Sequence, residues 1–226
     1  MKKIFVPLIV ALMAITACNR EAYKTAGYYE MAPTHRLMAV LPTETITTGR
    51  MPKDISPEDL ELVEEAESKA FQIALFNQLS KRSGSRNKDI RINFQHYSET
   101  NALLEKAGIK LRDSWSHTPT ELAAILGVDA IVRTSVRKEF YLTNLESFGI
   151  QLATTIVAFF TDPIAWWLFP SSRTSEVFAS CAVLDGQSGL PTWSISREKP
   201  TFWNKAHSQV VEEISRTLSR KFPYRN

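Results

Sequence analysis

The stretch from Thr118 to Val136 constrains the fold more than any other in this chain. Thr118 and Glu121 stand at capping-box spacing, and Pro119 falls at the first helical position, where a missing N–H leaves nothing unpaired. Gly127 supplies the stop, because glycine takes the left-handed turn that ends a helix. Val128-Asp129-Ala130-Ile131-Val132 follows at once and continues to Val136, which reads as a buried strand. A short helix that turns straight into a buried strand belongs to a layer in which helices cover a sheet.

The rest of the chain repeats that alternation. Leu37 to Leu41, closed by Pro42, predicts a buried strand, and residues 43–57 a polar loop. Ser56-Pro57-Glu58-Asp59 opens a helix to about Leu79, with Val63, Ala66, Ala70, Ile73 and Ala74 as its apolar stripe. The basic run around Gly84 reads as a solvated loop. Ile90, Ile92 and Phe94 alternate with polar residues, the pattern of a half-buried strand near an edge. Ser98 is expected to cap a helix over 99–107 that Gly108 ends. Val177 to Leu184 and Thr192 to Ser196 predict a hairpin about the turn Asp185–Gly189. Trp203, Ala206, Val210, Ile214 and Leu218 stripe a C-terminal helix that Pro223 terminates. The expected class is α/β (α+β): a mixed sheet of about five strands covered by helices, with an apolar insertion before the C-terminal hairpin.

Composition bounds the function. Hydrophobic residues make up 44% and charged residues 23%, enough for a packed core. The formal charge of +3 includes Lys2 and Lys3 at the amino terminus, so nothing concentrates a basic face for nucleic acid. His35, His96, His117 and His207 are scattered without metal-ligand spacing, and no metal or other cofactor is expected. Cys181 alternates with Val177, Ala179 and Val183, as a small core residue does. Glu64-Glu65 and Glu212-Glu213 are expected on solvent faces of helices. No nucleophile elbow, phosphate loop or dinucleotide fingerprint occurs, so the expectation is a non-enzyme.

The amino terminus says where such a protein works. Lys2 and Lys3, an apolar run from Ile4 to Ala14, then small residues form a secretory signal pattern, too short for the ~20 residues of a spanning helix. Ile15-Thr16-Ala17-Cys18 resembles the lipobox of bacterial lipoproteins. The resemblance implies cleavage after residue 17, a diacylglycerol on Cys18 and a fatty acyl chain such as palmitate on its new amino group. With Cys18 acylated, Cys181 is left unpaired and a disulfide framework is excluded. Asn19, being other than Asp, implies export to the outer membrane, facing the periplasm. Residues 18–35 then read as a tether reaching roughly 55 Å when stretched, and 36–226 as the periplasmic domain.

Four features carry a second resemblance: the early strand closed by Pro42, the segment Asn101–Gly108, the segment Glu121–Ala130, and the hairpin from Leu184-Asp185 to Trp193. Together they resemble a group of periplasmic lipoprotein domains: the curli-channel lipoprotein (CsgG-like), the lipoprotein activators of penicillin-binding proteins, and the amino-terminal domain of TolB. The resemblance implies no catalytic residue. It implies binding of an envelope protein partner or, alternatively, self-assembly into a ring or secretion channel of the outer membrane.

Residues 148–169 stand apart. They are almost wholly apolar and carry Phe148, Ile150, Phe159, Phe160, Ile164, Trp166, Trp167 and Phe169, the candidate membrane or partner contacts. Three readings stay open: a segment buried as core, contact with the bilayer through residues suited to its boundary, or a protein interface. Asp162 and Pro163 oppose a single spanning helix. The stretch 164–169 is short of the ~9–11 residues of a spanning strand.

Overall fold

The computed structural model describes residues 22–49, 56–83, 90–140, 176–200 and 207–225. Among them seven strands form one open, mixed sheet: β1 (Ala22–Lys24), β2 (Leu37–Val40), β3 (Glu44–Gly49), β4 (Asn93–Phe94), β5 (Ala130–Phe140), β6 (Glu176–Asp185) and β7 (Pro191–Pro200). The order is β1-β7-β6-β5-β2-β4, and β3 pairs with β5. β2 and β3 run parallel to β5, one after the other, interrupted at Leu41-Pro42-Thr43. Pro42 keeps its carbonyl satisfied there by accepting from Trp115 Nε1 at 3.0 Å. Asp129 sets the start of the parallel pair: its Oδ2 accepts the Arg36 and Leu37 N–H groups at 2.8 and 3.0 Å.

Five helices accompany the sheet among the described residues: α1 (Tyr28–Met31), α2 (Pro57–Ser83), α3 (Tyr97–Lys106), α4 (Pro119–Leu126) and α5 (His207–Lys221). One face is covered by α2 and α5, whose Phe71, Leu75, Leu79, Val211, Ile214 and Leu218 pack on Met38, Val132, Val136, Cys181, Val183, Trp193 and Ile195. The other carries a smaller cluster in which Leu104, Leu122 and Leu126 meet Ala39, Leu41 and Ile131. The α4 signals form as expected: Thr118 Oγ1 accepts the Glu121 N–H at 3.3 Å, and Gly127 ends the helix at φ 66°.

Several expectations are corrected. Residues 22–35 are not a tether: Ala22–Lys24 pair antiparallel with Ile195–Trp193, and α1 follows. The polar loop expected at 43–57 contains β3, six residues along β5. The sheet therefore has two strands beyond the five expected. The first long helix runs on to Ser83. Its buried face is Glu64, Ala66, Glu67, Ser68, Phe71, Gln72, Leu75, Phe76 and Leu79; of the expected stripe Ala66 is buried, whereas Val63, Ala70, Ile73 and Ala74 are only half-buried. Glu64 is thus interior, not on a solvent face. His96 caps α3 in place of Ser98, with its Nδ1 accepting the Ser98 N–H at 3.3 Å.

Candidate functional site

Cys18 and Phe148, Ile150, Phe159, Phe160, Ile164, Trp166, Trp167 and Phe169 lie outside the described residues. What the structure brings together are two clusters of buried ionisable groups, one at each end of the long strands.

The first forms where chain segments distant in sequence meet. His35 follows Pro33-Thr34 and leads into β2, Asp185 ends β6, and Tyr224 follows Pro223 after α5. His35 is 4% exposed and Asp185 5%. His35 Nε2 lies 2.8 Å from Asp185 Oδ1, and Nδ1 lies 2.7 Å from the Tyr224 phenol oxygen. An ionised aspartate only accepts, so Nε2 carries the shared hydrogen and Nδ1 is left to accept from the phenol. The other carboxylate oxygen of Asp185 closes the hairpin turn, accepting the Gln187 and Ser188 N–H groups at 3.2 and 2.6 Å and the Ser188 hydroxyl at 2.6 Å. Burial works against the Asp185 carboxylate, but the Ser188 and His35 bonds outweigh it and hold its pKa below the usual value. Tyr224 has a positive φ of 30°, its N–H donates to the Tyr28 phenol at 3.2 Å, and its carbonyl accepts the Arg91 N–H at 3.0 Å.

A histidine between an aspartate and a hydroxyl has the outline of a catalytic triad. The chemistry does not follow. The hydroxyl on Nδ1 is a phenol whose pKa burial drives upward, the reverse of an activated nucleophile. Ser188 bonds the carboxylate, not the imidazole. The cluster ties the approach to β2, the β6–β7 turn and the C-terminal residues into one knot.

The second cluster joins α2 to β3 and β5. Lys138 and Glu67 form a buried ion pair, their side chains 3% and 7% exposed. The Glu64 carboxylate accepts the Thr47 N–H at 3.1 Å and Arg112 at 3.2 Å, and its carbonyl accepts the Thr45 hydroxyl at 2.8 Å. Further along, Gln72 Nε2 donates to the Val40 carbonyl at 2.8 Å and to Asn101 at 2.9 Å. Cys181 lies in the core between these clusters, where burial pushes its thiol up to about 12 despite a hydrogen bond with Thr134. At that value it is inert at neutral pH.

Among the described residues, no group of three or more His, Cys, Asp or Glu side chains is placed to hold a metal ion. No helix among them is long and apolar enough to cross a membrane. Sequence reasoning singled out neither cluster. The signals present were a histidine after Pro33-Thr34 and a tyrosine after Pro223, each set by a rigid turn.

No protein-family model matches the chain, and no curated protein matches it. Among solved structures it is similar to lipoprotein GNA1162 from Neisseria meningitidis, at 13% identity over 82% of this chain and 96% of that one, with a TM-score of 0.47. It is similar to the PelC dodecamer from Paraburkholderia phytofirmans, at 11% identity over 82% and 87%, with a TM-score of 0.41. A further similarity is to the LpoB C-terminal domain from Escherichia coli, at 10% identity over 86% and 94%, with a TM-score of 0.35. At these scores the likeness is a partial overlap of backbones and fixes no function.

Proposed function

We propose that the chain is a bacterial envelope lipoprotein whose acylated Cys18 holds a periplasmic α/β domain at the outer membrane, where the domain binds another envelope component without chemical turnover. The observation that carries the non-enzymatic part is the closed polar interior. The buried charged and histidine side chains among the described residues, His35, Glu64, Glu67, Lys138 and Asp185, bond other elements of the fold. These bonds tie one element to another, and the Tyr224 phenol and Cys181 thiol near them are pushed by burial away from their nucleophilic forms. The anchoring part is supported by the lipobox, which directly precedes the sheet: Cys18 is four residues from the first strand.

The experiment is intact-mass analysis of the membrane-extracted protein with cross-linking in cells. Acyl mass on Cys18 and a cross-linked heterologous partner are expected. A mature protein without acyl mass that stays in water defeats the anchor. A large closed homo-oligomer by mass photometry defeats the binding-module reading in favour of an assembly subunit.

A further inference from the structure

We propose that the domain stands on the bilayer with one chosen end of its sheet toward the lipid: the end formed by Gly49, Phe140, Glu176 and Pro200. The turn Asp185–Gly189 then points into the periplasm. This rests on the lipid-anchor reading above and adds the direction the domain faces.

The register of the first strand decides it. Ala22 pairs with Ile195 and Lys24 with Trp193, antiparallel to a β7 that runs from the turn to Pro200. The chain before Ala22 therefore arrives from the Pro200 side. Cys18 is four residues upstream of Ala22, so the lipid-bearing residue stays within about 14 Å of it even when the chain is stretched.

Ala22 is level with Thr134 through Ile195 and Cys181. From that level the ends at Pro200 and Phe140 are about 17–20 Å away, at ~3.3 Å per residue. Continuing without a bend, Cys18 comes within a residue or so of the strand ends, where an acyl chain can enter the lipid. The opposite end is a poorer solution. The chain would have to reverse at Ala22 and use all of its length to reach the level of the Ala130–Asp185 pair, still short of the Gly186–Gly189 turn beyond it.

A second feature leaves from the same place. β5 ends at Phe140 and β6 begins at Glu176, with Glu139 and Glu176 paired side by side. The chain between them, which carries Trp166 and Trp167, departs and returns at this end of the sheet. Tryptophan suits the water–lipid boundary. Had the anchor and this stretch left opposite ends, only one of them could face the bilayer at a time.

The test uses the full lipidated chain in vesicles of phosphatidylethanolamine and phosphatidylglycerol whose headgroups carry an energy acceptor. A donor dye is placed on Thr48→Cys near the proposed lower end, on Gln187→Cys at the turn, or on Tyr29→Cys beside β1; all three native residues are exposed. Cys181 is buried and does not compete for the dye. Thr48 and the turn are separated by about 30 Å along the strands, so acceptor-dependent loss of emission should be larger at Thr48 than at Gln187. Equal losses, or a larger one at Gln187 or Tyr29, overturn the orientation while the anchor stands. Failure of the wild-type chain to float with the vesicles, with no difference from Cys18→Ser, overturns the anchor reading itself.

Discussion

Replacing Asp185 with alanine withdraws one carboxylate from His35 Nε2 at 2.8 Å, the Gln187 and Ser188 N–H groups at 3.2 and 2.6 Å and the Ser188 hydroxyl at 2.6 Å. His35 is 4% exposed, so its ring N–H has no water to turn to. Leaving a buried donor unpaired costs about 1–3 kcal/mol, and the half-buried turn donors, which water reaches in part, add about 0.5–1 kcal/mol each. The sum, about 2.5–6 kcal/mol, is a large share of the ~5–15 kcal/mol that holds a domain together. Asp185→Asn keeps an acceptor but loses charge assistance, so about 1–2 kcal/mol is expected. Urea unfolding can follow Trp193, which is 1% exposed and packs on Phe222 with ring centres 5.5 Å apart. The pH dependence has a definite sign. Asp185 has its pKa lowered from 3.8 in the fold, so its contribution is complete above that value and fades as pH falls through the folded pKa. The gap between wild type and Asp185→Asn should therefore narrow on acidification. A cost below about 1 kcal/mol for Asp185→Ala, or a gap that widens in acid, refutes the reasoning.

The alkaline side has the opposite sign. Tyr224 has its pKa raised from 10.0, chiefly by burial, so its contribution is complete below pH 10 and lost as pH rises beyond it; Tyr224→Phe should flatten the alkaline fall in urea midpoint. Gly186→Ala places a Cβ 2.7 Å from both the Asp129 carbonyl oxygen and Ala123 Cβ, and the Gly186 N–H donates to that same carbonyl at 2.8 Å. Backbone cannot retreat there without loosening the start of β2, and thermal melts should show about 1–3 kcal/mol of destabilisation. Lys138→Met removes the ion pair from the buried Glu67 carboxylate and should cost about 3–5 kcal/mol, while Lys138→Met with Glu67→Leu recovers much of it in a double-mutant cycle. Removing residues 148–169 should leave a folded domain with weakened vesicle or partner binding, because Glu139 and Glu176 already lie side by side; collapse by circular dichroism would make the segment core.

How much of this was legible in the sequence depends on how local its cause is. The Thr118 cap, the Gly127 stop at φ 66° and the Gly108 stop at φ 77° follow from neighbours within a turn. β1 left no signal because three residues are too few for a period, and its stability comes from backbone bonds to a strand almost the whole chain away. β3, Glu-Thr-Ile-Thr-Thr-Gly, lacks an apolar stripe because its inward position Thr45 meets Glu64 rather than a hydrophobe. The same polarity misdirected the reading of α2. Glu64, Glu67, Ser68 and Gln72 interleave with Ala66, Phe71, Leu75 and Leu79 on its buried face, so the stripe drawn through Val63, Ala70, Ile73 and Ala74 fell on the flank. His35 and Tyr224 are 189 positions apart, and only the folded chain shows that they touch.

These misses share a physical origin that bears on function. Between the two clusters the sheet is packed largely by apolar contacts, which tolerate repacking at conserved volume. Charged pairs at fixed positions are less forgiving, since a shift of one residue turns Lys138 to the other face of β5, away from Glu67. The polar residues thus hold β3, β5 and α2 in register at the end of the sheet where the apolar chain leaves and returns. The knot of His35, Asp185 and Tyr224 does the same at the turn end. An ion pair inside that end fixes the pairing of α2 with β5 without adding exposed hydrophobic surface.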